Sequence, residues 1–391
     1  YQSAFDSSSN NIFVTRRSAE GLYSIYRLDA TTLDVKAKTD IYEGYAADGI
    51  ALDNKNQVWA TNFETGTVSV YRQSDLTHVK TFSKAPIRGA TSVVVDEKAN
   101  LAYVAGEGNE ISILDMNADE DGTGVIGTVK LDGFEKVASL SLDKQTNQLI
   151  ATSGDSADPQ VAKVNLADGK KVERFTVKGA ETVLGATYDP ASKNIFVGTG
   201  GGEVSVVSTE TKKVVATIPT GAGTLDVRYN PTDKRVYVVN HDAGTLTVVD
   251  PVTNKVVSNL AVGDEPSHLS IAPNGTVAVV NNAFKDSGVD QHVDEIYTFK
   301  YNAPTPPPQP KPSTSESSTT QKPTEKPKPT EDPKPKPPNG SSDLSSKLGK
   351  YRTILIAIFS VLGLTGIIAG AVAAMAHANM IPKEWLPPQF R

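Results

Sequence analysis

Cysteine is absent from the 391-residue chain. That excludes disulfides, thiol nucleophiles and thiolate metal sites, and it is compatible with any redox compartment. Basic charge is also in short supply: 39 Lys and Arg stand against 45 Asp and Glu, for a net charge of −6. No Lys/Arg stripe with interleaved aromatics crosses residues 1–302, so a nucleic-acid partner has no electrostatic footprint. Histidine occurs five times, too rarely to furnish a ligand from each of many repeated units. Missing as well is any Pro-free apolar run of period 3.6 before residue 303, which removes helical architectures for that region.

What is present is a phrase that recurs. Residues 236–263 read VYVVNHDAGTLTVVDPVTNKVVSNLAVG, three β-rich runs joined by Asn/Asp/Gly and Asp/Pro/Asn turns. Such a meander cannot bury its own faces and depends on repetition. Seven copies align. Their first halves end at Asp6, Asp53, Asp96, Asp143, Asp189, Asn230 and Ala272, and the following runs centre on Phe13, Trp59, Tyr103, Ile150, Phe196, Tyr237 and Ala278. Successive anchors lie 47, 43, 47, 46, 41 and 42 residues apart. This period predicts an all-β fold, a seven-bladed β-propeller over residues 1–302. The anchors are expected to cap the turn into the next strand, and the aromatics to fill space between blades rather than stack bases. Residues 282–294 interrupt the seventh unit, and proline begins at Pro304. The last blade is therefore either three-stranded or completed by residues 1–3 and whatever precedes them.

The motif Val262-Gly-x-x-Pro266 with Pro273-Asn-Gly275, Tyr237-Val-Val-Asn240 and Gly244-Thr-Leu-Thr-Val-Val-Asp250 resemble the YVTN-repeat, YncE-like group of seven-bladed propellers. The match is sharp in the last three units, while the earlier ones depart from it. The resemblance implies the fold. It implies little about activity, because propellers host unrelated chemistries.

Composition changes beyond the repeat. Residues 303–352 are rich in Pro, Lys, Thr, Ser and Glu and cannot repay the entropy of folding. They read as a polyproline-II spacer with a reach on the order of 100 Å, resembling stalks that carry surface domains through a bacterial wall. A PxxP docking motif is the alternative. Residues 353–376 carry no charge. At about 1.5 Å per residue they cross a ~30 Å hydrocarbon core, which predicts a single transmembrane helix. Gly363, Gly366, Gly370 and Ala374 put small residues at a spacing that suits close helix contact, though such residues are also merely common in membrane helices. The tail, 377–391, contains Trp385 at the interface and no Leu-Pro-x-Thr-Gly sorting signal. Lys347, Lys350 and Arg352 before the helix, against Lys383 and Arg391 after it, favour a cytoplasmic propeller. The stalk, and Tyr1 read as a mature N-terminus, favour an extracytoplasmic propeller in the cell membrane with a cytoplasmic tail, and this is the orientation adopted.

On the face shared by second-to-third and outer-to-inner loops, the repeat places Arg16, Arg17, Asp48, Asn62, Arg88, Glu181, Asn240, His241, His268 and Asn281. They form a mixed polar set with no repeated ligand type. His241 or His268 beside a carboxylate would suit a lactonase or lyase base; solvated loop residues are the plainer reading. Asn117-x-Asp119-x-Asp121-Gly122 matches the first half of a calcium loop, yet position 128 is Thr where a bidentate Glu is expected. A calcium site and a solvated acidic hairpin tip both remain open, and no other cofactor is expected. Asp290 and His292 lie in the 282–294 insertion, the best candidate for a partner-contact loop. Three functions follow. The favoured one is a scaffold module bound to other membrane or envelope proteins, an accessory subunit of a transport or envelope complex. The others are a hydrolytic enzyme and a ligand or metal sensor.

Overall fold

Each repeat unit folds into its own antiparallel sheet because its strands are joined by tight turns of the right chemistry. The computed structural model describes residues 2–17, 23–39, 47–84, 86–119, 123–281, 283–285, 291–293 and 295–300. From the inner to the outer strand, blade 1 is Ser3–Asp6, Asn11–Arg17, Tyr23–Asp29 and Val35–Lys38. Blade 2 is Ala47–Leu52, Gln57–Asn62, Val68–Arg72 and His78–Phe82. Blade 3 is Ser92–Asp96, Leu101–Ala105, Glu110–Asp115 and Val125–Lys130. Blade 4 is Ser139–Asp143, Gln148–Thr152, Gln160–Asn165 and Lys171–Thr176. Blade 5 is Ala186–Asp189, Asn194–Gly198, Glu203–Ser208 and Lys213–Pro219. Blade 6 is Thr224–Asn230, Arg235–Asn240, Thr245–Asp250 and Lys255–Ala261. Blade 7 has three strands among the described residues, Pro266–Ile271, Val277–Asn281 and Ile296–Phe299. The insertion contributes a small hairpin, Ala283–Lys285 with Gln291–Val293.

Six of the seven anchors behave alike. Asp6, Asp53, Asp96, Asp143 and Asp189 each accept the backbone N–H two residues on, at 2.8–3.1 Å, and Asn230 does the same for Thr232 at 3.0 Å. In blade 7, where the anchor is Ala272, Asn274 takes over by accepting from Thr276. Asp53 also accepts the buried indole N–H of Trp59 at 2.9 Å. A left-handed residue closes each of these hairpins: Asn10, Asn56, Asn100, Asn147, Lys193, Lys234 and Gly275.

The core lies between blades, not within them. Seven apolar clusters among the described residues correspond to the seven seams. Phe13, Trp59, Tyr103, Ile150, Phe196, Tyr237 and Ala278 are all at most 1% exposed. Blades 1 and 7 share no sheet. Their seam closes through apolar packing of Phe5, Ile12, Val14 and Leu28 on Ala272, Ala278 and Val280.

Residues 303–352, 353–376 and 377–391, and with them Gly363, Gly366, Gly370 and Ala374, lie outside the described residues, as do Asp121 and Asp290. Among the described residues no helix is long and apolar enough to cross a membrane.

Register exposes an irregularity at blade 7. Phe82, Val129, Phe175 and Ile218 occupy one position of the outer strands of blades 2 to 5 and are 2–4% exposed. Leu260 holds that position in blade 6 and is 38% exposed, and among the described residues no outer strand of blade 7 covers it. Ile218→Ala should therefore cost about 2–4 kcal/mol in denaturant unfolding. Leu260→Ala should cost less than about half of that, and equal losses would mean that Leu260 is buried in solution.

Candidate functional site

The seven inner strands bring one residue each to a ring around the axis, four positions before each anchor: Gln2, Gly49, Ser92, Ser139, Gly185, Asp226 and His268. Two ionisable groups in this ring sit side by side on blades 6 and 7. Asp226 accepts from Arg228 Nε at 3.1 Å, from Leu269 N–H at 3.1 Å and from Val227 N–H at 3.0 Å. Arg228 Nη1 reaches past blade 5 to donate to the Leu140 carbonyl of blade 4 at 3.3 Å. Gln2 likewise spans from blade 1 to the Thr91 carbonyl at 3.0 Å, over blade 2. The two blades passed over are those with glycine in the ring. A Cβ on Gly49 would stand 2.8 Å from the Ser92 Cα, and one on Gly185 2.7 Å from the Asp226 Cα.

His268 joins this network to the first blade. Its Nδ1 accepts the Ser3 backbone N–H at 3.1 Å, so the neutral ring carries its proton on Nε2, 3.6 Å from Asp226 Oδ2. Ser3 Oγ donates to Ser270 Oγ at 2.9 Å. Burial pushes the His268 pKa down to about 4, with Asp226 pulling up and Arg228 adding to the depression. Burial pushes the Asp226 carboxyl up, but Arg228, His268 and the Leu269 N–H outweigh it and hold it below the ordinary range. Beneath the ring a cavity of about 430 Å3 is walled largely by Ala4, Ala51, Val94, Leu142 and Tyr229, with Arg228 and His268 on its lining. Asp48, beside Gly49, is pushed up by burial.

The sequence-picked residues separate on the structure. Asn62, Asn240 and Asn281 are at most 1% exposed. Asn62 Oδ1 caps the turn at Glu64 and Thr65, Asn240 Nδ2 donates to Thr245 and Thr247, and Asn281 Nδ2 donates to the Val262 carbonyl. Buried asparagines with these bonds hold the strand-to-strand turn. Arg88 is exposed and pairs with Glu107 at 2.6 Å, and Glu181 is exposed. His241 is half-buried, with Nδ1 2.8 Å from Asp242, and no hydrogen bond or ion pair among the described residues links it to His268. The Asn117 side-chain oxygen accepts from Lys55 Nζ at 2.6 Å, while Lys80 Nζ bonds the Met116 and Ala118 carbonyls. Two ammonium groups thus hold oxygens of that tip, Asp119 among its neighbours, and no group of three His or carboxylates with metal-site geometry occurs among the described residues. His292 falls in the insertion hairpin. Asp226, Arg228 and Ser3 escaped the sequence reading. The signal was Leu-Asp-Val-Arg at 225–228, two opposite charges on one face of an inner strand, where no other blade carries such a pair.

A second concavity lies at the seam of blades 7 and 1. Val14, Tyr26, Leu28, Leu33, Val35 and Ile296 line a groove of about 460 Å3, with Arg16 and Glu295 at its polar margin. The Arg16 guanidinium lies 5.6 Å from the Tyr26 ring centroid. Tyr297 donates to Glu295 at 2.8 Å on the adjoining edge.

No family model matches the chain, and no curated protein matches it. Among solved structures, it is similar to hydrazine synthase of Kuenenia stuttgartiensis, with a TM-score of 0.63 and 15% identity over 77% of this chain and 95% of that one. At that identity the likeness carries the fold alone. The class defined is a seven-bladed β-propeller, an architecture used both for protein interaction and to bear enzyme sites.

The His268 geometry makes stability depend on pH. Its folded pKa of about 4 lies below the ordinary 6.5, so the unfolded chain binds the extra proton first. The stabilisation is whole above pH 6.5 and is lost as pH falls from there to about 4, by about 3 kcal/mol from this group. Asp48, with a raised pKa, acts in the opposite sense at the acid end. Melting temperature should fall over pH 6.5 to 4, and His268→Gln should flatten that fall. An unchanged slope in the variant would show that His268 is not held neutral by burial in the folded ring.

Proposed function

We propose that this chain is a partner-binding module, a propeller of the YVTN-repeat kind held at the extracytoplasmic face of a membrane by residues 353–376, serving as an accessory subunit of an envelope or transport complex. One observation carries this reading: the seam of blades 7 and 1 presents a large apolar groove beside the edge strand Ile296–Phe299, which no described strand pairs on its outer side. Val35 there is 56% exposed and Tyr297 37%. Apolar surface rimmed by charge, on a rigid frame, marks a contact site for another macromolecule. The channel supports the same reading. Its ionisable trio is internally satisfied, with the His268 Nδ1 lone pair engaged by Ser3 and the Asp226 carboxylate engaged by Arg228 and two backbone N–H groups. A general base needs that lone pair free.

The stalk composition of 303–352 and the uncharged run at 353–376 support tethering at a distance from the bilayer. Extraction in mild detergent should bring down a complex with at least one further polypeptide bound in fixed stoichiometry, seen by mass photometry and by density outside the ring. A particle containing only this chain would count against the proposal.

A further inference from the structure

The groove has the shape of a berth that is filled at the seams following blades 2 to 5. Between blades 2 and 3, Phe82 of the outer strand enters a site walled by Val104, Leu114 and Val125. The register-equivalent residues of blade 1 are Val14, Leu28 and Val35, and these line the open groove. The opposite flank of blade 7 shows the complementary gap. The outer strands of blades 3, 4 and 5 each contribute an apolar residue near their start, Val125, Val172 and Val214, to the seam with the preceding blade. No described residue does so for blade 7, and Leu260 is left uncovered. In blades 3, 5 and 6 the early and late apolar residues of the outer strand stand four apart: Val125 and Val129, Val214 and Ile218, Val256 and Leu260. In each of these strands a β-bulge lies between the two residues and turns them to opposite faces, so one strand with that spacing and bulge, laid along Ile296–Phe299, would fill both flanks.

The stretch at the usual distance downstream of blade 7 is ill suited to supply it. In the complete blades the outer strand starts five to ten residues after the third strand ends. From Phe299 that reaches 304–309, and residues 304–312 read PTPPPQPKP. Proline has no N–H for the ladder, and the stretch holds no large apolar side chain. A second copy pairing edge to edge would bring only its own Ile296 and Phe299, which already pack into its own seams.

We infer that the open edge of blade 7 is a strand-acceptor site for an extended segment of a partner protein, bound antiparallel to Ile296–Phe299 with two apolar side chains four residues apart. This rests on the partner-binding reading above and gives the form that the partner takes. Main-chain hydrogen bonds to the free edge supply affinity, and the two berths supply selectivity.

The test uses the full chain in detergent and a fluorescein-labelled peptide, Lys-Val-Thr-Lys-Thr-Phe-Thr-Lys, capped at both ends. Saturable binding at or below about 100 µM is expected, weakened at least about tenfold when the Val and Phe of the peptide become Ser. Val35→Glu, at an exposed position of the berth, should weaken binding by a similar factor, whereas Val252→Glu on an exposed turn of blade 6 should leave it unchanged. Absence of saturation up to about 1 mM, or equal binding by both peptides, would overturn the inference. A photo-crosslinking residue at Tyr297 in native membranes should yield an adduct with a second polypeptide, and a crosslink confined to one polypeptide would also overturn it. A partner whose recovery is undiminished by Val35→Glu would sink strand addition while leaving the binding function intact.

Discussion

A blade of this protein has two apolar faces and no means of covering either, so each sheet is stable only between two neighbours. Residues such as Trp59, Tyr103 and Tyr237 sit in the middle of their sheets and are wholly covered by side chains from an adjoining blade. The same constraint dictates where the ring is most demanding. Six seams join blades connected in sequence, whereas the seventh must bring Ser3 to His268 across 265 residues. Among the described residues no shared ladder assists it. What closes it is an apolar cluster together with two hydrogen bonds from one serine.

How much of this was readable beforehand follows from the period of each feature. The anchors and the aromatic centres repeat at 41 to 47 residues, so blade number and core positions were legible from the chain alone. The left-handed turn residues were partly visible, since Asn is ordinary there, but Lys193 and Lys234 carry no such signal. The asparagines Asn62, Asn240 and Asn281 stand at strand ends, where polar residues usually meet solvent, and only packing reveals that neighbouring blades bury them. Asp226, Arg228 and Ser3 were illegible for a different reason. Their meaning lies in which residues of other blades stand beside them, and no periodicity reports that.

The channel and the seam divide the structural tasks. Buried charge is costly unless paired and hydrogen-bonded, and Asp226 meets that condition with a guanidinium and two backbone N–H groups. Arg228 and Gln2 each reach two blades away, past Gly185 and Gly49, where a Cβ would meet the next inner strand. These crossings tie non-adjacent blades together near the axis, where the inner strands alone would have only immediate neighbours. The polar residues of the channel thus brace the ring.

The weak sector is then local. Around most of the ring an outer-strand side chain seals the adjoining seam, and Phe82, Val129, Phe175 and Ile218 show how completely. At blade 7 the outer layer is absent among the described residues, so Leu260 on one side and Val35 on the other keep apolar area in water. Each such side chain forfeits on the order of 1 kcal/mol relative to full burial. The inner part of the same blade is as well packed as any other, with Val277, Ala278 and Val279 fully buried. A frame that is rigid at the axis and unfinished at one edge can offer a preformed surface without reorganising to bind. On the partner-binding reading proposed above, that combination would keep the entropic cost of association on the partner's side.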